Sequence, residues 1–230
     1  MKIDVVTLFP KMFEGILTES IIKRAQAKGV VDIAIHYLRD WTADPHKTVD
    51  DRPYGGGAGM VVKVDVAYQA LKELAQIDKP KKSRDSWVIL PTPKGKRIDQ
   101  KMAQRLSKKK HLVILCPHYE GYDERIVSLV DEQISLGDFI LTGGEIPALA
   151  IIDSVVRLVP GAIKADSLKD ETFTIQEKEG KFGEYPQYTR PEIFEAKIAG
   201  KVTKKRIPPV LKSGNHAEIA KWRGKQVKEV

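Results

Sequence analysis

Over its first 160 residues the chain alternates between short, almost wholly apolar runs and longer segments with apolar residues at helical spacing. IDVVTLF, VVDIAIHYL, WVILP and HLVILC are the strand-like runs. KMFEGILTESIIKRAQAK (closed by Gly29), VDVAYQALKELA and DQKMAQRLSKKK are the helical segments. Strands apolar on both faces and separated by helices predict a parallel sheet covered on both sides, an α/β fold. GYDERIVSLV reads as a further helix and ISLGDFILT as a further strand. GGEIPALAIIDSVVRLVPG reads as a helix with Pro147 in its first turns and Gly161 past its end. In such sheets ligands bind beyond the carboxyl ends of the strands. Three of these ends, PTPKG, CPHYEGYDER and LGDFILTGGE, carry unusual chemistry and predict a small-molecule site.

Past Gly161 the pattern fades. Three parts are predicted: a domain over 1–163, a polar linker over 164–185, and a basic domain over 186–230 with helical patches PEIFEAKIAG and HAEIAKWRGKQ. The net charge is +8, and Pro186–Val230 alone holds eleven Lys/Arg against four Asp/Glu. That asymmetry suits a polyanion, and equally a solvated lysine-rich surface. No stretch reaches the ~20 apolar residues of a membrane span. MKIDVVTLFP lacks the apolar core and cleavage site of a secretory signal. A lone cysteine, Cys116, suits a reducing compartment. A cytoplasmic protein without a membrane partner is expected, with Cys116 a small buried side chain at a strand end.

Tyr54–Met60 (YGGGAGM) is glycine-rich but fits neither a Walker A loop nor a dinucleotide fingerprint. Its glycines admit close backbone approach to a large partner, or simply make a flexible loop. Thr142-Gly143-Gly144-Glu145 lies where a strand meets a helix. The helix start could meet an anionic or polar ligand edge, or the segment is a tight turn. The five histidines lack ligand-like spacing, so no metal site is read, and no nucleophile elbow occurs. What remains is chemistry by positioning, a carboxylate and an arginine.

Taken in order, DVVTLFP, VDDRPYGGGAGM, YEGYDER, LGDFILTGGE, RLVPG, YTRPE and PPVLKSGNHAEIAKWR resemble the TrmD family of tRNA (guanine-N1)-methyltransferases, members of the SPOUT superfamily. The resemblance implies a deep trefoil knot in the C-terminal part of the parallel α/β domain, a small helical C-terminal domain, and a homodimer. It implies S-adenosyl-L-methionine as methyl donor, bound at Leu90, Pro91, Thr92, Pro93 and Gly95; at Pro117, Tyr119, Glu120 and Gly121; at Ser135, Leu136, Gly137, Asp138, Phe139, Ile140 and Leu141; and at Gly143, Gly144 and Pro147. The family usually has glycine where this chain has Pro117. Proline has no N–H, so a donor contact made there is lost.

The activity implied is methylation of N1 of the guanosine immediately 3′ of the tRNA anticodon. The family assigns the oxygen-stabilising role to an arginine that matches Arg157, and the general base to a linker acid. That acid matches Glu171 if DETF is aligned on its Phe, and Asp170 after a one-residue shift. Contacts to the anticodon stem-loop are implied for Asp50, Arg52, Tyr54, Gly55, Gly56, Gly57 and Gly59, and for Arg190, His216, Trp222 and Arg223 in the basic segment. The family's dependence on a divalent cation such as Mg²⁺ carries over without a readable ligand set. EAKIAGKVTKKRIPPV is longer than the usual turn before PPVL, and the helix after it is short. The alternatives are a methyltransferase of the same fold acting on another RNA, a non-catalytic RNA-binding protein, and a nucleotide-dependent small-molecule enzyme.

Overall fold

The computed structural model describes residues 1–164, Leu168 and residues 185–226. The chain divides into two compact units, Met1–Lys164 and Ala165–Val230.

The first unit is built on a five-stranded, all-parallel sheet. Its strands are β1 (Lys2–Thr7), β2 (Asp32–Tyr37), β5 (Ser86–Arg97), β6 (His111–Leu115) and β7 (Glu132–Ser135), in the order β2-β1-β6-β5-β7. Each strand sends alternate residues to opposite faces, and both faces of the central strands are buried. Ile3, Val5, Ile89, Leu112 and Ile114 pack with helices α2 (Ser20–Ala27), α4 (Gln100–Leu106) and α5 (Glu145–Val156). Val6, Val88, Leu90, Val113 and Leu115 pack with α3 (Val64–Ala75) and with Ile126 of a 3₁₀ turn, Glu124–Leu129. Among the described residues no helix is long and apolar enough to cross a membrane.

The predicted segments differ from this in instructive places. Residues 11–28 form no single helix but a 3₁₀ turn (Pro10–Phe13), α1 (Glu14–Leu17) and α2. The break falls at Thr18, whose hydroxyl donates to the Glu14 carbonyl, and at Ser20, which sits at φ +50°. A short hydroxyl side chain competes with the helical ladder, and here it wins. Gln26 of α2 then donates to the Leu17 carbonyl left open at the end of α1. GYDERIVSLV winds only as 3₁₀, started by the Asp123 carboxylate accepting from the Arg125 N–H. The strand predicted over ISLGDFILT stops at Ser135, whose hydroxyl exchanges hydrogen bonds with the backbone of Gly137 and turns the chain.

One charged group lies inside the sheet. Asp4 on β1 is fully buried, and its carboxylate meets His111 Nε2 at 2.6 Å, His36 Nε2 at 2.8 Å and Lys2 Nζ at 2.8 Å. Burial alone would raise its pKa. The bonds from His111, His36 and Lys2 outweigh it and hold the carboxyl far below the usual range. Three adjacent strands are tied at one point.

Among its described residues the second unit holds strands as well as a helix, which corrects the helix expected over PEIFEAKIAG. IFEAKI and KVTKKR form an antiparallel ribbon, β8 (Ile193–Ile198) and β9 (Lys201–Arg206). The two-residue turn, Ala199-Gly200, has positive φ at both positions, the geometry that matches strand twist in tight hairpins. The helical spacing of PEIFEAKIAG yields to that turn. A 3₁₀ turn (Pro209–Lys212) and α6 (His216–Gln226) follow, with Asn215 accepting from the Glu218 N–H at the start of α6.

Candidate active site

Because all five strands are parallel, their carboxyl ends share one side of the sheet. A cavity of about 520 Å³ opens there, beyond β5, β6 and β7, and takes its walls from residues 91–94, 117–122, 134–137 and 139–144 with Pro147. That volume lies in the range of small-molecule sites. The three segments singled out in the sequence are therefore brought together in space.

Of the residues implied to hold the donor, Pro91, Thr92, Pro93, Pro117, Tyr119, Glu120, Gly121, Ser135, Leu136, Gly137, Phe139, Ile140, Leu141, Gly143, Gly144 and Pro147 line this cavity. Leu90, Gly95 and Asp138 do not. Leu90 is wholly buried against α3's face of the sheet. Asp138 points to solvent and pairs with Arg97 at 3.0 Å. At Gly95 an added Cβ would fall 2.5 Å from the backbone of Gln133 and Ile134. This glycine lets the end of β5 press against β7, where Pro91 and Lys96 both register with Ile134 and the residues between them loop out to the cavity wall. Lys94, His118, Tyr122, Glu124 and Thr142, inside the same segments, also line it, as does Ile134, which the sequence does not single out. His118 and Thr142 sit inside the two conspicuous motifs, so adjacency was the available signal.

The Thr142–Glu145 turn is committed to structure. The Gly144 N–H donates to the Pro117 carbonyl at 2.7 Å, and a Cβ on Gly144 would meet Pro117 Cδ at 2.5 Å. That donor is spent on closing α5 against the end of β6. The Glu145 side chain turns inward, is buried, accepts from Thr7 Oγ1 at 2.9 Å, and lies 3.4 Å from His118 Nδ1. It thereby anchors a histidine on the cavity wall, stacked near Phe9 at 4.4 Å between ring centroids. Burial, and secondarily the nearby Glu145 carboxylate, push the Cys116 thiol well up, so it is no nucleophile.

The glycine-rich loop is tied to this wall. It joins the short strands β3 (Asp50–Asp51) and β4 (Val61–Val62). The Glu120 N–H donates to Met60 O, and the Val62 N–H to Gly121 O. A Cβ on Gly59 would collide with the Glu120 side chain, so glycine lets Glu120 lie over the loop. Gly55, Gly56, Gly57 and Gly59 all have positive φ. Tyr54 at the loop's start is fully exposed, and Arg52 is exposed beside it. Tyr119 accepts from Arg39 at 3.3 Å. Burial, then the neighbouring Asp50 carboxylate, push its phenol up. Asp50 and the loop are thus physically continuous with the cavity.

Arg157 follows the last turn of α5, its N–H on the Asp153 carbonyl. It stands ten residues beyond Pro147, roughly 15 Å along the helix axis, and is not among the residues that line the cavity. Asp170 and Glu171 lie outside the described residues. In the second unit Trp222 packs near Tyr188 with ring centroids at 6.2 Å, and the Arg223 guanidinium stacks on Tyr185 at 4.4 Å. Arg190, preceding a cis bond to Pro191, and His216 are exposed. Among the described residues no group of three or more His, Cys, Asp or Glu converges as metal ligands would.

The whole chain, residues 1–230, matches the family described as tRNA (Guanine-1)-methyltransferase TrmD. It is 48% identical over 229 residues to a tRNA (guanine-N(1)-)-methyltransferase of Dictyoglomus turgidum, covering 98% of this chain and 84% of that protein. Proteins of the same name from Citrifermentans bemidjiense and Geobacillus kaustophilus are 50% and 47% identical over 228 residues, covering 98% of this chain and 84% and 86% of theirs.

Proposed function

From the chain's membership of the tRNA (guanine-1)-methyltransferase family, we propose that it methylates N1 of the guanosine immediately 3′ of the tRNA anticodon, with S-adenosyl-L-methionine in the strand-end cavity. The cavity carries this reading: volume, apolar lining and three convergent backbone loops fit a nucleoside-sized donor.

The donor would supply an electrophilic methyl whose bond to the sulfonium sulfur breaks as the bond to N1 forms, leaving a neutral thioether. N1 of neutral guanine bears a proton, so a base must accept it as the N1–methyl bond forms. The linker carboxylate, Glu171 or Asp170, takes that proton. Negative charge grows on O6 of the base, where the Arg157 guanidinium stabilises it. Tyr54, fully exposed on a loop anchored beside the cavity, offers a face for a splayed nucleotide. Asp50 and Arg52 approach from the same hairpin. The basic unit, with Arg190, His216, Trp222 and Arg223, grips the anticodon stem-loop through its phosphates.

A homodimer belongs to the same reading. Arg157 is not among the residues that line the cavity, and in this reading the linker and tail of a second copy close over it. Exposed Phe139 and Ile140 line the cavity, exposed Ile146 lies on the first turn of α5, and exposed Phe9, Met12 and Ile16 lie on the segment after β1. Apolar exposure of this kind suits a covering subunit. The trefoil knot of the family belongs to the same reading, with residues 91–97 and 134–144 in its loops.

The test is methyl transfer from labelled donor to tRNA transcripts with guanosine or adenosine at the target position, with Mg²⁺ present or chelated. Label should enter the first alone, at N1. Arg157→Ala should lower kcat by about 10²–10³-fold with tRNA binding kept, and mixing it with a Glu171→Gln or Asp170→Asn chain should restore activity in mixed dimers if the two groups serve different sites. Transfer to neither transcript by folded protein would refute the assignment.

A further inference from the structure

We propose that the β8–β9 ribbon is a docking surface for the phosphate backbone of a double-helical stem of the substrate RNA, an extension that rests on the tRNA reading above. Residues 193–206 carry five cations, Lys197, Lys201, Lys204, Lys205 and Arg206, against one carboxylate, Glu195. Glu195 is consumed by Lys204, which faces it across the ribbon at 2.7 Å. The other four cations have no carboxylate partner among the described residues, and all are exposed. In the first unit Lys81, Arg84, Arg97, Arg105, Lys110 and Arg125 each meet an acid. A lysine or two on an edge strand suffices to deter pairing with another chain. Four unneutralised cations on a six-residue strand and its partner repel one another, at a cost that a polyanion relieves.

The ribbon's architecture points the same way. Among the described residues it is a two-stranded sheet with no third strand, an arrangement marginal in water by itself. None of its described side chains is buried. β9 spans about 17 Å at ~3.3 Å per residue, and four of its six residues are cationic. Readers of unpaired bases need aromatic platforms. β9 has none, and β8 has only Phe194. A cationic ribbon without platforms fits backbone contact along a stem, which carries position but no sequence.

The experiment uses the full-length protein with K197Q, K201Q, K205Q and R206Q combined, leaving the Glu195–Lys204 pair intact. The expected result is a 10–100-fold weaker Kd for tRNA near physiological salt. The slope of log affinity against log salt should fall by about 2–4. Preference for guanosine over adenosine at the target, and affinity for the methyl donor, should not change. The companion K197R/K201R/K205R variant should bind as the wild type does. Unchanged Kd and salt slope in the neutralised protein would overturn the proposal, as would equal weakening in the arginine variant, which would mark a folding effect. A wild-type chain that binds tRNA through the ribbon yet transfers no methyl would instead refute the enzymatic reading and leave this one standing.

Discussion

The two units of this chain solve different physical problems. Met1–Lys164 buries 38 hydrophobic residues on both faces of a parallel sheet, and even places a carboxylate inside it by surrounding Asp4 with His36, His111 and Lys2. Among the described residues of Ala165–Val230 none is buried. Order there comes from a tight turn, a capped helix and two aromatic contacts on Trp222 and Tyr185. Burial against water stabilises the first unit and pre-shapes its cavity. The second is held by local contacts, and its charge is left facing outward. A pre-shaped cavity in one unit and a lightly stabilised basic surface in the other are the division of labour expected of an enzyme that holds a small molecule tightly and a polyanion reversibly.

Substitutions can break that contrast, beginning where burial is greatest. Asp4→Asn should cost about 3–5 kcal/mol in denaturant unfolding, because it removes the charge that two histidines and a lysine are built around. The carboxyl's pKa is lowered in the folded chain. Its stabilisation is therefore complete above the unfolded value near ~3.9 and disappears as pH falls below it. The wild type should lose stability steeply below about pH 4, while the Asn variant runs flatter there. Equal acid sensitivity of the two would remove Asp4 as the cause.

Gly95→Ala should cost about 1–3 kcal/mol, since its Cβ would fall 2.5 Å from the β7 backbone. Calorimetry with and without donor checks it, with a matching loss of donor affinity as the wall formed by residues 91–94 shifts. The smallest stability effect belongs to the other unit. Trp222→Ala should change the melting of the first unit by less than about 0.5 kcal/mol. It should still weaken tRNA binding severalfold, read by filter binding beside thermal unfolding. A large fall in the main transition would show that the two units share stability, and the contrast drawn here would fail.

Much of the first unit was legible because its signals are local and repeated. Apolar runs of strand length around helical spacing admit few arrangements but a covered parallel sheet, and the unusual residues at three strand ends marked the cavity's walls. Less was legible where a local preference competed with a neighbour. The Thr18 hydroxyl and the positive φ at Ser20 break a segment whose spacing is helical throughout. Ala199-Gly200 converts a second helical pattern into a ribbon.

By itself, then, the sequence determined the sheet, its helices, the basic C-terminal bias and, through its ordered motifs, the family. Only the tertiary structure decided which motif residues share a wall. Leu90, Gly95 and Asp138 sit within the right motifs and off the cavity, and His118 enters it on the arm of a glutamate 27 residues away. Strand parity, a close backbone crossing at Gly95 and the length of α5 decide those placements. Each depends on what packs against the chain from far along it, and periodicity carries no record of such distant neighbours.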